Sequence, residues 1–323
     1  MILKIRKKDL STFDLINIFS KKLNIKKSDI GYAGLKDKNA LSIQYISINK
    51  KFAKHIESLD LENIKILDST YHHNKLKIGH LKGNKFFVRI KKLNKINSTK
   101  IQNIIKIILD SGMPNYFGFQ RFGVYGNNYN DGKNILENKS KIKDKKLSKL
   151  LISAYQSHLF NQWLQKRIEI SRIINDFSIQ DSNLALKIES KIIKDLKNQK
   201  HFFKILNGDI MQHYPHGKLF VNDDSQNHMR FYNHQISPTG LLYGKKSILS
   251  KNLAGEIEKD FIDHLLDCEI GARRFAWILI NHLEFNYKEE IANGEFNFSL
   301  PKGSYATILL NLIANRELEI KDH

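Results

Sequence analysis

A short loop near the N-terminus combines residue types that could do chemistry on a ligand. Asp37 lies between Lys36 and Lys38, directly after a segment that contains Gly31 and Gly34. Glycine lets the backbone turn tightly and approach a ligand closely, and an aspartate between two cations stays ionised. The loop therefore suggests a carboxylate that acts as a nucleophile or a base. A polar loop that only connects two strands would have the same composition.

Asn84 and Phe86 form a second candidate pair. They stand two residues apart where the segment 85–90 alternates between apolar and polar residues, as a half-buried strand does. Side chains two apart on a strand point to the same face, so an amide and a flat ring would lie side by side. The ring could stack on a flat ligand, and the amide could hydrogen-bond that ligand or orient Asp37. A phenylalanine that only packs into the core would give the same pattern.

The arginines are the third signal, because only nine of the 53 basic residues Lys and Arg are arginines. Arg89, Arg121, Arg273 and Arg274 fall in or beside segments that also carry other candidate residues. A guanidinium group forms a planar fork that suits phosphate and carboxylate, which lysine cannot copy. Phosphate binding and pairing with structural carboxylates would both explain these positions.

Two further segments could contact RNA. Residues 115–123 mix aromatic residues, glycines and Arg121, a combination that suits unpaired RNA but also a packed domain junction. Lys302, Gly303 and Ser304 open the last predicted helix, whose N-terminus could hold a phosphate or simply be capped by these residues. His72, His73 and His80 have no acidic or cysteine partner at metal-ligand spacing, so no metal site is predicted.

The elements that must position these residues follow one another in a mixed order. Ser11 and Asp14 predict a capping box at the start of the first helix. The apolar spacing places four residues on its inner face and two on its flanks, namely Phe13, Ile16, Phe19 and Leu23, and Leu15 and Ile18. Strands are predicted at 41–48, 85–90, 281–287 and 294–300, and helices at 97–111, 254–267 and 303–316. The segment 147–170 is predicted to form one long helix or two. Residues 171–206 are predicted to be rich in helix, and 207–235 to hold loops and short strands. This order favours an α+β fold over a doubly wound parallel sheet.

Composition sets the class of protein. The 323 residues carry 41% hydrophobic residues and a net charge of +20, so the surface should attract polyanions. An abundance of Lys, Asn and Ile shows that part of this charge could reflect a coding sequence rich in A and T. Cys268 is the only cysteine, and no run of about 18 apolar residues is present. We therefore expect a cytoplasmic protein without an internal disulfide or a membrane span.

Seven segments, taken in order along the chain, resemble motifs of the tRNA pseudouridine synthase D (TruD) family. They are Gly31–Lys38; His73–Leu76 with Gly79–Phe86; Pro114–Gly118 with Gln120–Gly123; Ser153–Ser157 with Leu159–Asn161; Ile236–Gly240; Gly271–Arg274; and Leu300–Thr307. Each segment alone is a weak signal, but seven in the family's order are specific.

The resemblance implies a fold and an activity. It implies a catalytic domain with a pseudouridine-synthase-like, mainly antiparallel sheet at 1–111 and 250–323, and an inserted family-specific α+β domain at 112–249, with RNA between them. The implied reaction is the isomerisation of uridine-13 in the D arm of tRNA. This reaction needs no redox cofactor, metal or ATP, so no cofactor is expected. We expect tRNA as the partner and a monomer as the oligomeric state.

The resemblance also implies roles for individual residues. Asp37 matches the family's catalytic aspartate, and Asn84 and Phe86 match its active-site Asn and Phe. We expect Lys36, Asn84, Phe86, Arg121 and Lys302 to bind the substrate. The sequence leaves open whether Asp37 adds to the sugar or removes a proton from it.

The start of the chain departs from the family pattern. Family members carry a further segment before the residue that matches Leu3, with a lysine and a strand of the type Asp-Phe-x-Val-x-Glu near the active site. Neither is present in this sequence. We therefore expect an uncovered sheet edge, which favours aggregation, and a site without that glutamate, and we expect an upstream extension to improve both solubility and activity.

Other functions remain open at this point. A non-catalytic RNA-binding protein or a tRNA chaperone could keep the same fold, and the missing segment favours that alternative. The presence of Asp37, Asn84 and Phe86 favours the enzyme. A methyltransferase is disfavoured because the sequence has no glycine-rich loop for a methyl donor, and no G-x-G-x-x-G or G-x-x-x-x-G-K-[ST] pattern.

Overall fold

The computed structural model describes residues 1–38, 40–57, 59, 61–123 and 125–316. The chain forms two compact units, Met1–Asn84 and a second unit from Lys85 onward. Helices and antiparallel strands alternate irregularly along the chain, so the predicted α+β class is confirmed. The predicted domain boundaries at 111/112 and 249/250 concern family domains rather than compact units, and they stay a prediction.

In the first unit, helices pack against one face of a sheet, and the core lies between them. Its elements are β1 (Ile2–Lys8), α1 (Thr12–Lys22), β2 (Gly31–Tyr32), β3 (Leu41–Ser47), α2 (Ala53–Glu57) and β4 (Ile64–Thr70). The strands are antiparallel in the order β2-β3-β1-β4. The first strand of the chain is therefore an inner strand of this sheet, paired on both sides, and the edges are β2 and β4.

Helix α1 confirms one prediction and corrects another. Ser11 caps the helix: its side chain accepts a hydrogen bond from the Asp14 backbone N–H at 3.1 Å, and Asp14 accepts one from the Ser11 N–H at 2.8 Å. The predicted inner face is rotated relative to the observed one. Leu15, predicted on a flank, is buried together with Ile16 and Phe19, whereas Phe13, predicted on the inner face, is 56% exposed. Packing against the apolar face of the sheet decided which side of the helix is buried.

The second unit begins on β5 (Gly83–Lys91), a strand that starts at the end of the first unit. Its other strands are β6 (Met113–Pro114), β7 (Ile210–His213), β8 (Leu219–Val221), β9 (Ile236–Leu242), β10 (Ala272–Phe275), β11 (Trp277–Ile278), β12 (Leu283–Lys288) and β13 (Asn293–Pro301). They form sheets in the orders β12-β13-β5, β10-β9-β7-β8 and β11-β6.

Helices fill the remainder of the second unit. They are α3 (Lys95–Ser111), α4 (Asn128–Leu136), α5 (Lys145–Asp176), α6 (Ile179–Leu186), α7 (Ser190–Lys197), α8 (Asn227–Tyr232), α9 (Asn252–Glu258) and α10 (Ala306–Ala314). Helix α5 is a single helix of 32 residues that buries residues along much of its length, including Trp163 and Arg167. No helix in the described part of the chain is long and apolar enough to cross a membrane.

Most predicted elements are present with shifted ends, and two predictions need correction. The helix predicted at 254–267 ends at Glu258 and is followed by two short 3₁₀ turns. The helix predicted at 303–316 begins at Ala306, because Gly303 has a positive φ of 80° and Tyr305 caps the helix in an extended conformation. Lys302, Gly303 and Ser304 therefore form the turn before α10 rather than its first residues.

Candidate active site

The loop that carries Asp37 leaves β2 and enters β3, the two neighbouring strands of the first sheet. Gly31 lies against Ser47 and the backbone of Leu76 so closely that a Cβ atom at this position would clash with both. The Ser47 hydroxyl in turn accepts a hydrogen bond of 2.9 Å from the Leu76 N–H. The glycine of the motif is thus required for a close backbone approach, which fixes where the loop begins.

Lys36 is held by hydrogen bonds from both its backbone and its side chain. Its backbone N–H donates a hydrogen bond of 2.8 Å to the Thr12 hydroxyl, and its Nζ donates one of 2.6 Å to Oδ1 of Asn84. Burial lowers the pKa of Lys36, and the negative charge of Asp37 opposes that shift. Two residues expected to bind the substrate therefore touch each other, and Asp37 follows directly in the exposed part of the loop.

The bond to Lys36 also orients the amide of Asn84. A lysine ammonium only donates hydrogen bonds, so the atom that it contacts is the amide oxygen. The NH₂ end of Asn84 then faces away from Lys36, and within the described residues no group accepts a hydrogen bond from it. The side chain is thereby left with donors for a ligand.

Lys7 binds the backbone of the loop that carries Asp37, and it is not among the site residues that the sequence predicts. Its side chain is fully buried, and its Nζ donates hydrogen bonds to the Leu10 carbonyl and, at 3.3 Å, to the backbone carbonyl of Asp37. Burial lowers the pKa of Lys7, which the Asp37 charge opposes. A signal was available, since Lys7 continues the inward-facing positions of Leu3 and Ile5 on β1.

Phe86 follows Asn84 on the same face of β5, as predicted. Residues 84, 86, 88 and 90 of this strand are partly buried, and the residues between them are exposed. The Phe86 ring stacks on the buried Phe298 ring, with centroids 5.2 Å apart and planes 20° apart. Phe86 therefore packs on the core and still keeps part of its surface accessible.

Four of the motif segments meet at one place in the second unit. Arg274 donates two hydrogen bonds to the Asn115 carbonyl, at 3.1 and 2.9 Å, and one of 2.8 Å to its Oδ1. The Asn115 Oδ1 also accepts a bond of 3.1 Å from the Ser304 hydroxyl. Asn161 on α5 exchanges two hydrogen bonds of 2.9 Å with the backbone of Phe117. We call this cluster, formed by segments 114–123, 153–161, 271–274 and 300–307, the motif junction.

Arg121 is anchored in the motif junction by hydroxyl groups. Its Nε donates to the Ser157 hydroxyl at 3.0 Å and its Nη2 donates to the Ser153 hydroxyl. The guanidinium carbons of Arg121 and Arg274 lie 5.8 and 3.9 Å from the centre of the Phe117 ring. Burial lowers the pKa of Arg121 and lowers that of Arg274 to about 10.

The four arginines singled out in the sequence divide into two kinds. Arg89 pairs with Glu295 at 2.9 Å, and Arg273 pairs with Glu258 at 2.6 Å. Arg121 and Arg274 have no carboxylate within 4 Å among the residues that the structure describes. Two partly buried cations without an acidic partner leave an excess of positive charge in the motif junction, which an external anion such as a phosphate would balance.

The remaining candidate, Lys302, is exposed in the turn before α10. The phosphate-binding helix N-terminus predicted at 302–304 is thus displaced, although Ser304 contacts the motif junction. In the described ranges no group of three or more His, Cys, Asp and Glu side chains is arranged to hold a metal ion.

Comparison with known proteins identifies the family. The sequence model of the family described as tRNA pseudouridine synthase D (TruD) matches residues 1–143 and 140–313. The chain belongs to the TruD family. The tRNA pseudouridine synthase D of Wolinella succinogenes is 49% identical over 322 residues, which cover 99% of this chain and 89% of the relative. That of Sulfurimonas denitrificans is 48% identical over 319 residues, which cover 98% of this chain and 89% of the relative.

A solved structure agrees in fold. The crystal structure of a putative TruD from Methanosarcina mazei superposes with a TM-score of 0.65 at 20% sequence identity, over 97% of this chain and 87% of that one. As a TruD family member, the chain is an isomerase that converts uridine into pseudouridine.

Proposed function

We propose that this TruD family member acts on tRNA, that its target is uridine-13 in the D arm, and that Asp37 is the catalytic carboxylate. The observation that carries the proposal is the loop itself. Asp37 is exposed, its backbone carbonyl is bound by the buried Lys7, and the preceding Lys36 is tied to Asn84. A carboxylate on a loop fixed on both sides is suited to act on a substrate that enters from solvent.

The reaction is an isomerisation and balances without a co-reactant. The bond between N1 of uracil and C1′ of ribose breaks, the detached base turns, and a new bond joins C5 to C1′. C5 loses its proton and N1 gains one. Asp37 starts the reaction either by adding to C1′ or by removing a proton from the sugar, and both roles need an ionised carboxylate.

Lys36 and Asn84 act as a positioning pair in this proposal. Lys36 directly precedes Asp37 in the loop and binds the side chain of Asn84. The Asn84 amide, oriented by Lys36, presents its NH₂ donors to a carbonyl group of the target base. Uracil carries two such carbonyl groups, so an amide donor can hold the base while it is detached from the sugar.

Phe86 supplies a flat surface for the base. It lies on β5, two residues after Asn84 and on the same face, and it resembles the active-site Phe of the family motif. Stacking of a base on an aromatic side chain contributes about 1–3 kcal/mol. Because the other side of the ring rests on Phe298, the ring is held in one orientation.

Arg121 and Lys302 bind the RNA backbone. Arg121 lacks a carboxylate partner among the described residues, and Lys302 is exposed on a turn that joins the motif junction. Most of the affinity for tRNA is then electrostatic, in keeping with the net charge of +20, and falls as salt rises. We expect the protein to act as a monomer in the cytoplasm.

Pseudouridine mapping tests the target. Cellular tRNA is compared between a strain that has this gene and one from which the gene is deleted, and the purified protein is then given a tRNA transcript with uridine or cytidine at position 13. Loss of pseudouridine-13 on deletion, and product only on the uridine transcript, is the expected result. Pseudouridine at another position would contradict the target, and tight tRNA binding with no product would favour a non-catalytic RNA-binding protein.

A further inference from the structure

The outer face of the first sheet, turned away from its core, has an unusual composition. Its residues on β1 are Lys4, Arg6 and Lys8, and those on β3 are Leu41, Ile43 and Tyr45. The register pairs them directly across the two strands, Lys8 with Leu41, Arg6 with Ile43 and Lys4 with Tyr45. A row of cations thus runs beside a row of apolar residues over about 13 Å. We call these six residues the outer face.

The apolar row is exposed. Leu41, Ile43 and Tyr45 expose 66%, 48% and 51% of their surface, whereas the alternate residues Gln44 and Ile46 are buried. A contiguous row of large apolar side chains in water usually marks a surface that binds a partner.

The charges specify what kind of partner fits. Arg6 lies directly opposite Lys65 of β4, and like charges in facing positions of a sheet repel each other, whereas Lys4 lies opposite Asp68. No ion pair joins Lys4, Arg6, Lys8 or Lys65 to a carboxylate within the described residues. This surface therefore favours a polyanion that also has flat apolar groups. Unpaired RNA has both, because its phosphates bind cations while its bases stack on aromatic rings and pack on apolar side chains.

The outer face ends at the loop that carries Asp37. Lys8 and Leu41, its last pair, lie where β1 ends and β3 begins, and the Asp9 N–H donates a hydrogen bond of 3.3 Å to the Ala40 carbonyl. The neighbouring Lys7 reaches the Asp37 carbonyl from the other side of the sheet. A strand bound along β1 and β3 would thus end beside the loop that carries Asp37.

We propose that the outer face binds the unpaired stretch of substrate RNA next to the target uridine. Arg6 and Lys8 hold phosphates, a base stacks on Tyr45, and Leu41 and Ile43 pack against the intervening bases. This inference rests on the proposed function, because it takes the strand that enters the Asp37 site as its ligand.

Equilibrium binding to a tRNA transcript at several salt concentrations tests the proposal. Each phosphate contact on single-stranded RNA contributes about 0.7 to the slope of log K against log salt, so the double variant Arg6→Gln, Lys8→Gln should lower that slope by about 1.4. The control Lys149→Gln, Arg172→Gln removes the same charge from exposed positions on α5 and should leave the slope near that of the wild type. Tyr45→Ala should weaken binding about 5- to 100-fold, and Tyr232→Ala, another exposed tyrosine, should not.

The melting temperature of each variant is measured as well. It should equal that of the wild type, because all these side chains are exposed. Equal slopes for the two double variants, or equal affinities for the two tyrosine variants, would overturn the proposal. So would a concentration-dependent dimer that Ile43→Lys dissociates while tRNA affinity stays the same, because the outer face would then bind a second copy of the chain. Pseudouridine formation by the wild type is measured separately, so failure of the proposed function is distinguished from failure of the outer face.

Discussion

The Nζ atom of Lys36 donates a hydrogen bond of 2.6 Å to Oδ1 of Asn84, a residue 48 positions further along the chain. This bond joins the loop that carries Asp37 to the first residues of β5, and so links two segments that the sequence identifies only as separate motifs. It also gives Lys36 two tasks, since the same cation orients an amide and lies next to a carboxylate.

Lys36→Met should lower the turnover rate about 10- to 100-fold, because a hydrogen bond to a charged group contributes about 1.5–3 kcal/mol. Single-turnover measurement of pseudouridine formation checks this. Lys38→Met removes the same charge from the other side of Asp37 and is the matched control, with a smaller expected loss because Lys38 is exposed. Equal losses for both variants would show that only the local charge matters.

The pH profile offers an independent test of Lys36. Burial lowers its pKa from the ordinary value of 10.5, so its positive charge is lost at a lower pH than that of an exposed lysine. Activity should therefore decline on the alkaline side below pH 10.5. Lys36→Arg keeps the charge and should move this decline to higher pH. An alkaline limb that is identical in the two proteins would assign it to another group.

Phe86→Leu should lower turnover more than about 10-fold while tRNA affinity changes less than about threefold, because a leucine keeps most of the buried volume but cannot stack on a base. Phe285→Leu is the control. Phe285 packs against the same core beside Phe296, so its replacement should cost stability without a specific loss of turnover. If Phe86→Leu only lowers the melting temperature, Phe86 is a core residue and nothing more.

Arg274→Lys should destabilise the second unit by about 1.5–3 kcal/mol, because lysine cannot reproduce the fork that binds the carbonyl and the side chain of Asn115. Urea unfolding measures the loss. A double-mutant cycle with Asn115→Ala should give a coupling energy above about 1 kcal/mol, whereas Arg172→Lys, at an exposed arginine, should change stability by less than about 0.5 kcal/mol. If the two substitutions change the free energy of unfolding additively, the contact between Arg274 and Asn115 does not stabilise the protein.

Lys204 should make the stability of the protein depend on pH. Burial lowers the pKa of this lysine to about 8, with a smaller contribution from Lys197. Between pH 8 and 10.5 the unfolded chain then holds more protons than the folded one, so the free energy of unfolding rises with pH, by up to about 2 kcal/mol from about pH 8 to about pH 9.5. Urea unfolding at these two pH values should show the rise in the wild type and a smaller one in Lys204→Met.

Local signals in the sequence predicted local structure well. The capping box of Ser11 and Asp14 and the alternation on β5 depend on residues a few positions apart, and the structure confirms both predictions. The prediction for the buried side of α1 is wrong because Phe13 and Leu15 are both apolar, and only the position of the sheet distinguishes them. Helix α10 starts later than predicted, because Gly303 has a positive φ and belongs to the turn before the helix.

The candidate site could be predicted in its parts but not in its contacts. The motifs predict Asp37, Asn84 and Phe86 as site residues, and this stays a prediction. A lone lysine, Lys7, among the inward positions of β1 is a further signal in the sequence. The bond between Arg274 and Asn115 joins residues 159 positions apart, and nothing in the local sequence of either residue specifies the other. For the same reason, the sequence could not say which arginines have carboxylate partners.

The central claim is that Asp37 performs the chemistry, and single-turnover assay of Asp37→Asn on a D-arm substrate tests it most directly. The amide keeps the size of the side chain but loses the charge that either catalytic role requires. We predict no detectable pseudouridine from this variant, with tRNA affinity within about threefold of the wild type because affinity comes mainly from phosphate contacts. Pseudouridine formation by Asp37→Asn at a rate near that of the wild type would contradict the account.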